Sequence, residues 1–154
     1  MISNTLVQSI EDHWVQICAA AERDLASDTE LGELSKIVGS FRDDVEKLVR
    51  NLGQWLSGGN RPALAKNYEE LGEECYQRGI PPHLLIRAVT LCKRRIQDFI
   101  RDQGHAESTV QIYAEEELEL RVDRFFDYLV YWTVRGYWQA MQAATRTSAK
   151  SVGR

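Results

Sequence analysis

Three prolines, Pro62, Pro81 and Pro82, are all that a chain of 154 residues contains. Their placement constrains the fold more than any other feature. Proline has no backbone N–H and clashes with the carbonyl four residues earlier, so helix interiors are confined to the stretches between prolines. Those stretches are long, and their apolar residues recur every three or four positions, which is the period of an α-helix packed on one face. No run alternates with the period of two that a strand requires. The pattern predicts an all-α protein of about five to six helices.

The first window runs from about Thr5 to Leu25, with Leu6, Ile10, His13 and Ile17 on one row and Trp14, Cys18 and Ala21 beside it. Ser27 or Asp28 then offers a new N-cap. The second window spans about Thr29 to Ser57 and breaks at Gly39 if Ser40 and Asp43 act as a capping box. A third helix begins with Asn60 as cap and Pro62 in its first turn, and carries the row Leu64, Tyr68, Leu71 and Cys75. Gly79 closes it with a left-handed residue, and Pro81-Pro82 prevents continuation while suiting the first turn of a fourth helix. That helix, to about Asp102, has Leu85, Ala88, Val89, Cys92, Ile96 and Phe99 on its inner row.

The longest window, about Thr109 to Ser148, is apolar on two sides. Leu118, Val122, Phe125, Leu129 and Trp132 alternate by fours and threes, which is a bundle or coiled-coil seam. A neighbouring flank carries Phe126, Tyr128, Val130, Tyr131, Tyr137 and Trp138. A helix apolar on two sides is buried on two sides. One side serves the core of the domain and the other suggests a partner chain, for which the seam Leu118 to Trp132 supplies the physical means. Residues 1–148 are expected to form one domain, and 149–154, small and polar, a flexible tail or linker.

Length and composition limit what the chain does. One domain of this size buries a single core, and 44% apolar with 27% charged residues is ordinary for a globular domain. A net charge of −4 gives no electrostatic footprint for nucleic acid. No apolar run approaches the ~18 residues that cross a bilayer, and the polar start is unlike a signal peptide. Three scattered cysteines do not form a disulfide framework. A reduced, cytoplasmic protein is expected.

Catalytic and metal-binding patterns are absent from the sequence. It contains no HExxH, CxxC, GxSxG or phosphate-binding glycine loop. Cys75 follows Glu69, Glu70, Glu73 and Glu74, which raise a thiol pKa, and Cys92 lies on an apolar row. The acidic run 115–123 fans around a helix and reads as a solvated face. His83 shares a polar row with Arg87, Thr90 and Arg94 and is expected at the surface. His13, on an apolar row, is either a core histidine bonded to a backbone carbonyl or a ligand. His105 falls in a loop. The strip Arg87, Lys93, Arg94, Arg95 and Arg101 serves either an acidic partner or ion pairs with neighbouring helices. No enzymatic activity is expected.

The stretch "YEELGEECYQRGIPPHLLIRAVTLCKRRIQDFI", residues 68–100, resembles the N-terminal sensor domains of RsbR-type stressosome proteins and RsbT co-antagonists. The shared pattern is an amphipathic helix ending in an Arg-Gly-Ile-Pro corner, then a helix with an apolar row and an arginine partway along, and a long aromatic last helix. The resemblance implies a non-haem globin-like fold and a dimeric sensory or regulatory domain of bacterial stress signalling. Such a domain is without catalysis and passes a signal through its last helix to a downstream domain or partner. The pocket that holds haem in related globin-coupled sensors would be lined here by His13, Trp14, Tyr68, Leu71, Cys75, Leu85 and Cys92, and would be filled by side chains or take a small apolar ligand. The haem-ligating histidine of those relatives falls at Cys75, so no cofactor is expected. A haem-binding sensor and a plain helical adaptor without a pocket stand as alternatives.

Overall fold

The computed structural model describes residues 4–103 and 108–152. Seven helices and no strand occur among them: α1 (Asn4–Asp12), α2 (Trp14–Ser27), α3 (Thr29–Val38), α4 (Arg42–Leu56), α5 (Arg61–Gln77), α6 (Pro82–Gln103) and α7 (Thr109–Val152). The fold is an all-α bundle with a long last helix, as the periodicity predicts. His105 lies outside the described residues.

The corner between α5 and α6 forms for the local reasons its residues suggest. Gly79 adopts φ +75°, its N–H reaches the Tyr76 carbonyl at 3.0 Å, and the Ile80 N–H reaches the Cys75 carbonyl at 3.0 Å. This is a Schellman closure, and buried Ile80 supplies the apolar contact that accompanies it. The Tyr137 hydroxyl donates to the Ile80 carbonyl at 2.7 Å, so α7 clamps the corner from outside. Asn60 caps α5 through the Ala63 N–H at 3.2 Å, and Asp28 caps α3 through the Leu31 N–H at 3.1 Å.

Two helix boundaries differ from expectation. The first window divides at His13, whose φ of −113° leaves helical geometry. Its ring Nδ1 lies 2.8 Å from the Ser9 carbonyl oxygen, so Nδ1 carries the proton and competes with the backbone for that acceptor. The second window does break at Gly39, at φ +93°, but without a capping box. The Ser40 hydroxyl accepts instead from the Arg42 N–H at 3.1 Å and donates to Glu22 at 3.1 Å. At the other end, α7 continues to Val152, so the helix runs into the segment 149–154 set apart as a tail or linker.

The α7 face assigned to a partner is a correction. Leu118, Val122, Phe125 and Leu129 are essentially inaccessible and belong to the protein's own core, with Trp132 half-buried against it. What draws this row inward is the α5–α7 packing, the most extensive in the molecule. Gly72 of α5 and Gly136 of α7 let the two backbones touch: a Cβ on Gly72 would fall 2.0 Å from the Thr133 carbonyl oxygen, and one on Gly136 2.1 Å from that of Glu69. α6 then covers the same face of α7, with Lys93–Asp123 at 3.0 Å and Arg101–Glu119 at 3.3 Å fixing an antiparallel register. Trp55 of α4 adds a hydrogen bond of 3.1 Å to the Arg121 carbonyl and an edge contact with Phe125.

Candidate functional site

The apolar rows of α4, α5 and α6 do not close completely on one another. They leave a cavity of about 350 Å³ behind the α5–α6 corner, with Leu25, Leu31 and Leu129 completing its walls. Each wall follows from helical spacing. Tyr68, Leu71 and Cys75 stand on successive turns of α5; Leu85, Ala88, Val89 and Cys92 do the same on α6. Of the charged members of the lining, Lys47, Arg50, Glu70 and Glu74 are exposed and lie on α4 and α5, so the cavity opens between those helices, while Asp44 is half-buried in its ion pair with Arg78. An apolar space of this size is larger than one of about 150 Å³ that takes benzene.

Five of the seven residues assigned to a pocket meet here: Tyr68, Leu71, Cys75, Leu85 and Cys92. His13 and Trp14 do not. They lie about 18 Å along the helix from Leu25, the one α2 residue that reaches the cavity. The His13 ring packs on Phe99 with centroids 5.5 Å apart, and its Nδ1 bond to a backbone carbonyl is the structural alternative described above. Trp14 is 42% exposed and borders a separate groove with Ile10, Val49 and Gly53. The sequence reasoning missed the α4 wall, Val45 and Leu48. Both lie on an evident apolar row, but a row does not say which neighbour it faces. Leu129, assigned to the dimer seam, lines the cavity instead.

The site's polar chemistry is muted. The Asn51 side-chain amide donates to the Tyr68 hydroxyl at 3.1 Å, and burial raises the Tyr68 pKa against the effect of that bond. Burial pushes the Cys75 thiol up to about 11, with the Asp44 carboxylate adding to the rise. Cys92 is pushed up to about 12, again chiefly by burial. Both are neutral thiols at pH 7, poor nucleophiles and poor soft-metal ligands. Among the described residues no group of three or more His, Cys, Asp or Glu side chains is placed to hold a metal ion.

The cationic strip of α6 works within the fold. Arg95 makes a two-pronged contact with Asp24 at 2.8 Å, and Arg87 binds the capping carboxylate of Asp28. That arginine and the Leu31 N–H hold the Asp28 carboxyl below its ordinary value, the backbone bond contributing most. His83 is exposed beside Glu30, at 3.6 Å. No helix among the described residues is long and apolar enough to cross a membrane.

A family model described as the RsbT co-antagonist protein rsbRD N-terminal domain matches residues 8–152. No curated protein and no solved structure matches.

Proposed function

The chain belongs to the family of RsbT co-antagonist rsbRD N-terminal domains, a family of signalling and regulatory domains, and on that premise we propose that it is a non-catalytic sensor of a small apolar ligand. The observation that carries this is the cavity. It is apolar in its interior, opens between α4 and α5, and is bounded by Leu129 of the long last helix. A ligand there touches the element that extends beyond the bundle, which is the physical requirement for occupancy to bias α7. Dimerisation through α7 belongs to the same proposal, on its exposed face rather than on the buried row.

The neutral Cys75 thiol argues against haem held by thiolate, because ligation needs the deprotonated form and both burial and Asp44 oppose it. The cavity argues against a plain adaptor with no internal space.

The test is a thermal shift with 1-naphthol as probe, alongside native mass spectrometry of the protein from its own host. Saturation at a hundredfold over Kd stabilises a protein by about 2.7 kcal/mol, a rise of about 5–10 °C for a domain of this size. Ala88→Phe fills the cavity and abolishes the shift. No shift with wild-type protein, together with no retained small molecule, overturns the proposal.

A further inference from the structure

The buried wall of the cavity is apolar except at one point. Tyr68 is 3% exposed, and among the described residues it is the one buried member of the lining that carries a strong hydrogen-bonding group. The thiols of Cys75 and Cys92, buried in the same wall, are weak donors. A phenol can both accept a hydrogen bond and donate one. The Tyr68 oxygen accepts from the Asn51 amide at 3.1 Å, and among the described residues that is its only hydrogen bond. Its own proton has no acceptor. An unused buried donor is costly, and a molecule that enters the cavity with an accepting atom recovers that cost.

The position of the pair sets where such an atom lies. Asn51 belongs to α4 and Tyr68 to α5, and Asn51 is half-buried, so their bond spans the gap through which the cavity opens. On the α6 side the wall is Leu85, Ala88, Val89 and Cys92. Accepting from Asn51 also polarises the hydroxyl, which makes it a stronger donor. An occupant therefore sets an apolar body against α6 and an accepting oxygen at the α4–α5 gap.

Charge and size narrow the class. The rim carries Lys47 and Arg50 on α4 and Glu70 and Glu74 on α5, two cations against two anions, and Asp44 is taken up by Arg78 at 3.3 Å. A rim that sums to zero selects neither an anion nor a cation, so the accepting group is neutral. The volume of about 350 Å³ is roughly twice the ~150 Å³ that holds benzene, which leaves room for a frame of about ten carbons.

We propose that the ligand is a neutral apolar carbonyl compound, a ketone or ester of about ten carbons, whose oxygen accepts a hydrogen bond from the Tyr68 hydroxyl. This rests on the reading of the cavity as a ligand site and adds what the ligand presents there.

The experiment compares 1-tetralone with tetralin, the same bicyclic frame without the oxygen, by titration calorimetry on wild-type protein and on Tyr68→Phe. Phenylalanine keeps the ring and its edge contact with Phe125, at 6.1 Å between centroids, and leaves the half-buried Asn51 amide free to bond water, so the variant folds. Measuring both ligands on both proteins cancels the difference in their hydration. Tyr68→Phe weakens 1-tetralone about tenfold, the worth of one hydrogen bond, and leaves tetralin within about twofold. In infrared difference spectra the carbonyl stretch of the bound ketone lies at lower frequency on wild type than on Tyr68→Phe. An equal effect on both ligands, or a carbonyl band that the substitution does not move, overturns the role of the hydroxyl while the cavity stands as a ligand site. Tighter binding of 1-naphthoate than of 1-tetralone overturns the neutrality of the ligand. Binding of none of the three by wild-type protein overturns the cavity reading as well.

Discussion

Gly72→Ala tests the contact on which the arrangement of the bundle depends. The added methyl would sit 2.0 Å from the Thr133 carbonyl oxygen and 2.7 Å from the Tyr137 nitrogen. Both are helix backbone atoms, which have no rotamer to retreat into. Ordinary van der Waals contact begins at 3.4 Å, so α5 and α7 must separate by more than 1 Å along their most extensive interface. Overpacking of a core typically costs 1–3 kcal/mol, and two rigid backbones put this case at about 3 kcal/mol. The higher helix propensity of alanine returns about 1 kcal/mol. The net loss of about 2 kcal/mol lowers Tm by about 4–8 °C in a domain of this size. Gly53→Ala in α4 is the internal control, because nothing lies within 4 Å of its new methyl. There the same chemical change stabilises by about 0.5–1 kcal/mol. Thermal unfolding followed by far-UV circular dichroism reads both. If Gly72→Ala melts at or above the wild-type temperature, the close approach of α5 and α7 is wrong, and so is the burial of the Leu118–Leu129 row.

Two further outcomes follow from buried polar groups. Thr133 is 1% exposed, and its hydroxyl has no hydrogen-bond partner among the described residues. Thr133→Val removes that uncompensated group at nearly constant volume and raises stability by about 1 kcal/mol in urea unfolding; a loss of that size would mean the hydroxyl is satisfied. Burial raises the pKa of Cys18 to about 11, Cys75 to about 11 and Cys92 to about 12, from 9.0. A folded-state pKa above the unfolded one favours the folded protein below the unfolded value and loses that advantage as pH rises through the folded value. Stability therefore declines from about pH 9 toward pH 12, and Cys92→Ala flattens part of that decline. In native protein at pH 7 the three thiols react slowly with a disulfide reagent, and all three react at once in denaturant. Rapid stoichiometric labelling of native protein would refute their burial.

The helix ends were legible because they are local. Asn60, Asp28, Gly39, Gly79 and the proline pair act on backbone groups within four residues, so their chemistry is visible without knowing what packs where. The break at His13 was less legible. It depends on a side chain turning back to the Ser9 carbonyl, and the surrounding apolar pattern runs on through it. The candidate site divides the same way. Tyr68, Leu71, Cys75, Leu85 and Cys92 flank one corner, and that corner forces their two helices to lie side by side. His13 and Trp14 were placed with them by analogy to a pocket in relatives, and no local contact holds them there.

By itself the sequence determined an all-helical chain, the positions of its corners and the apolar seam Leu118 to Trp132 of α7 with a second apolar flank beside it. Only the tertiary structure decided that the seam is core and that the flank divides, with Phe126 buried and Tyr131 and Trp138 exposed. Hydrophobic burial depends on area and has no direction, so a helix with two apolar rows carries no preference between them. The choice comes from long-range complementarity. Gly72 against Gly136 lets α5 approach one side of α7, the aspartate and glutamate of that side meet Lys93 and Arg101 of α6, and Tyr131 and Trp138 are left facing outward.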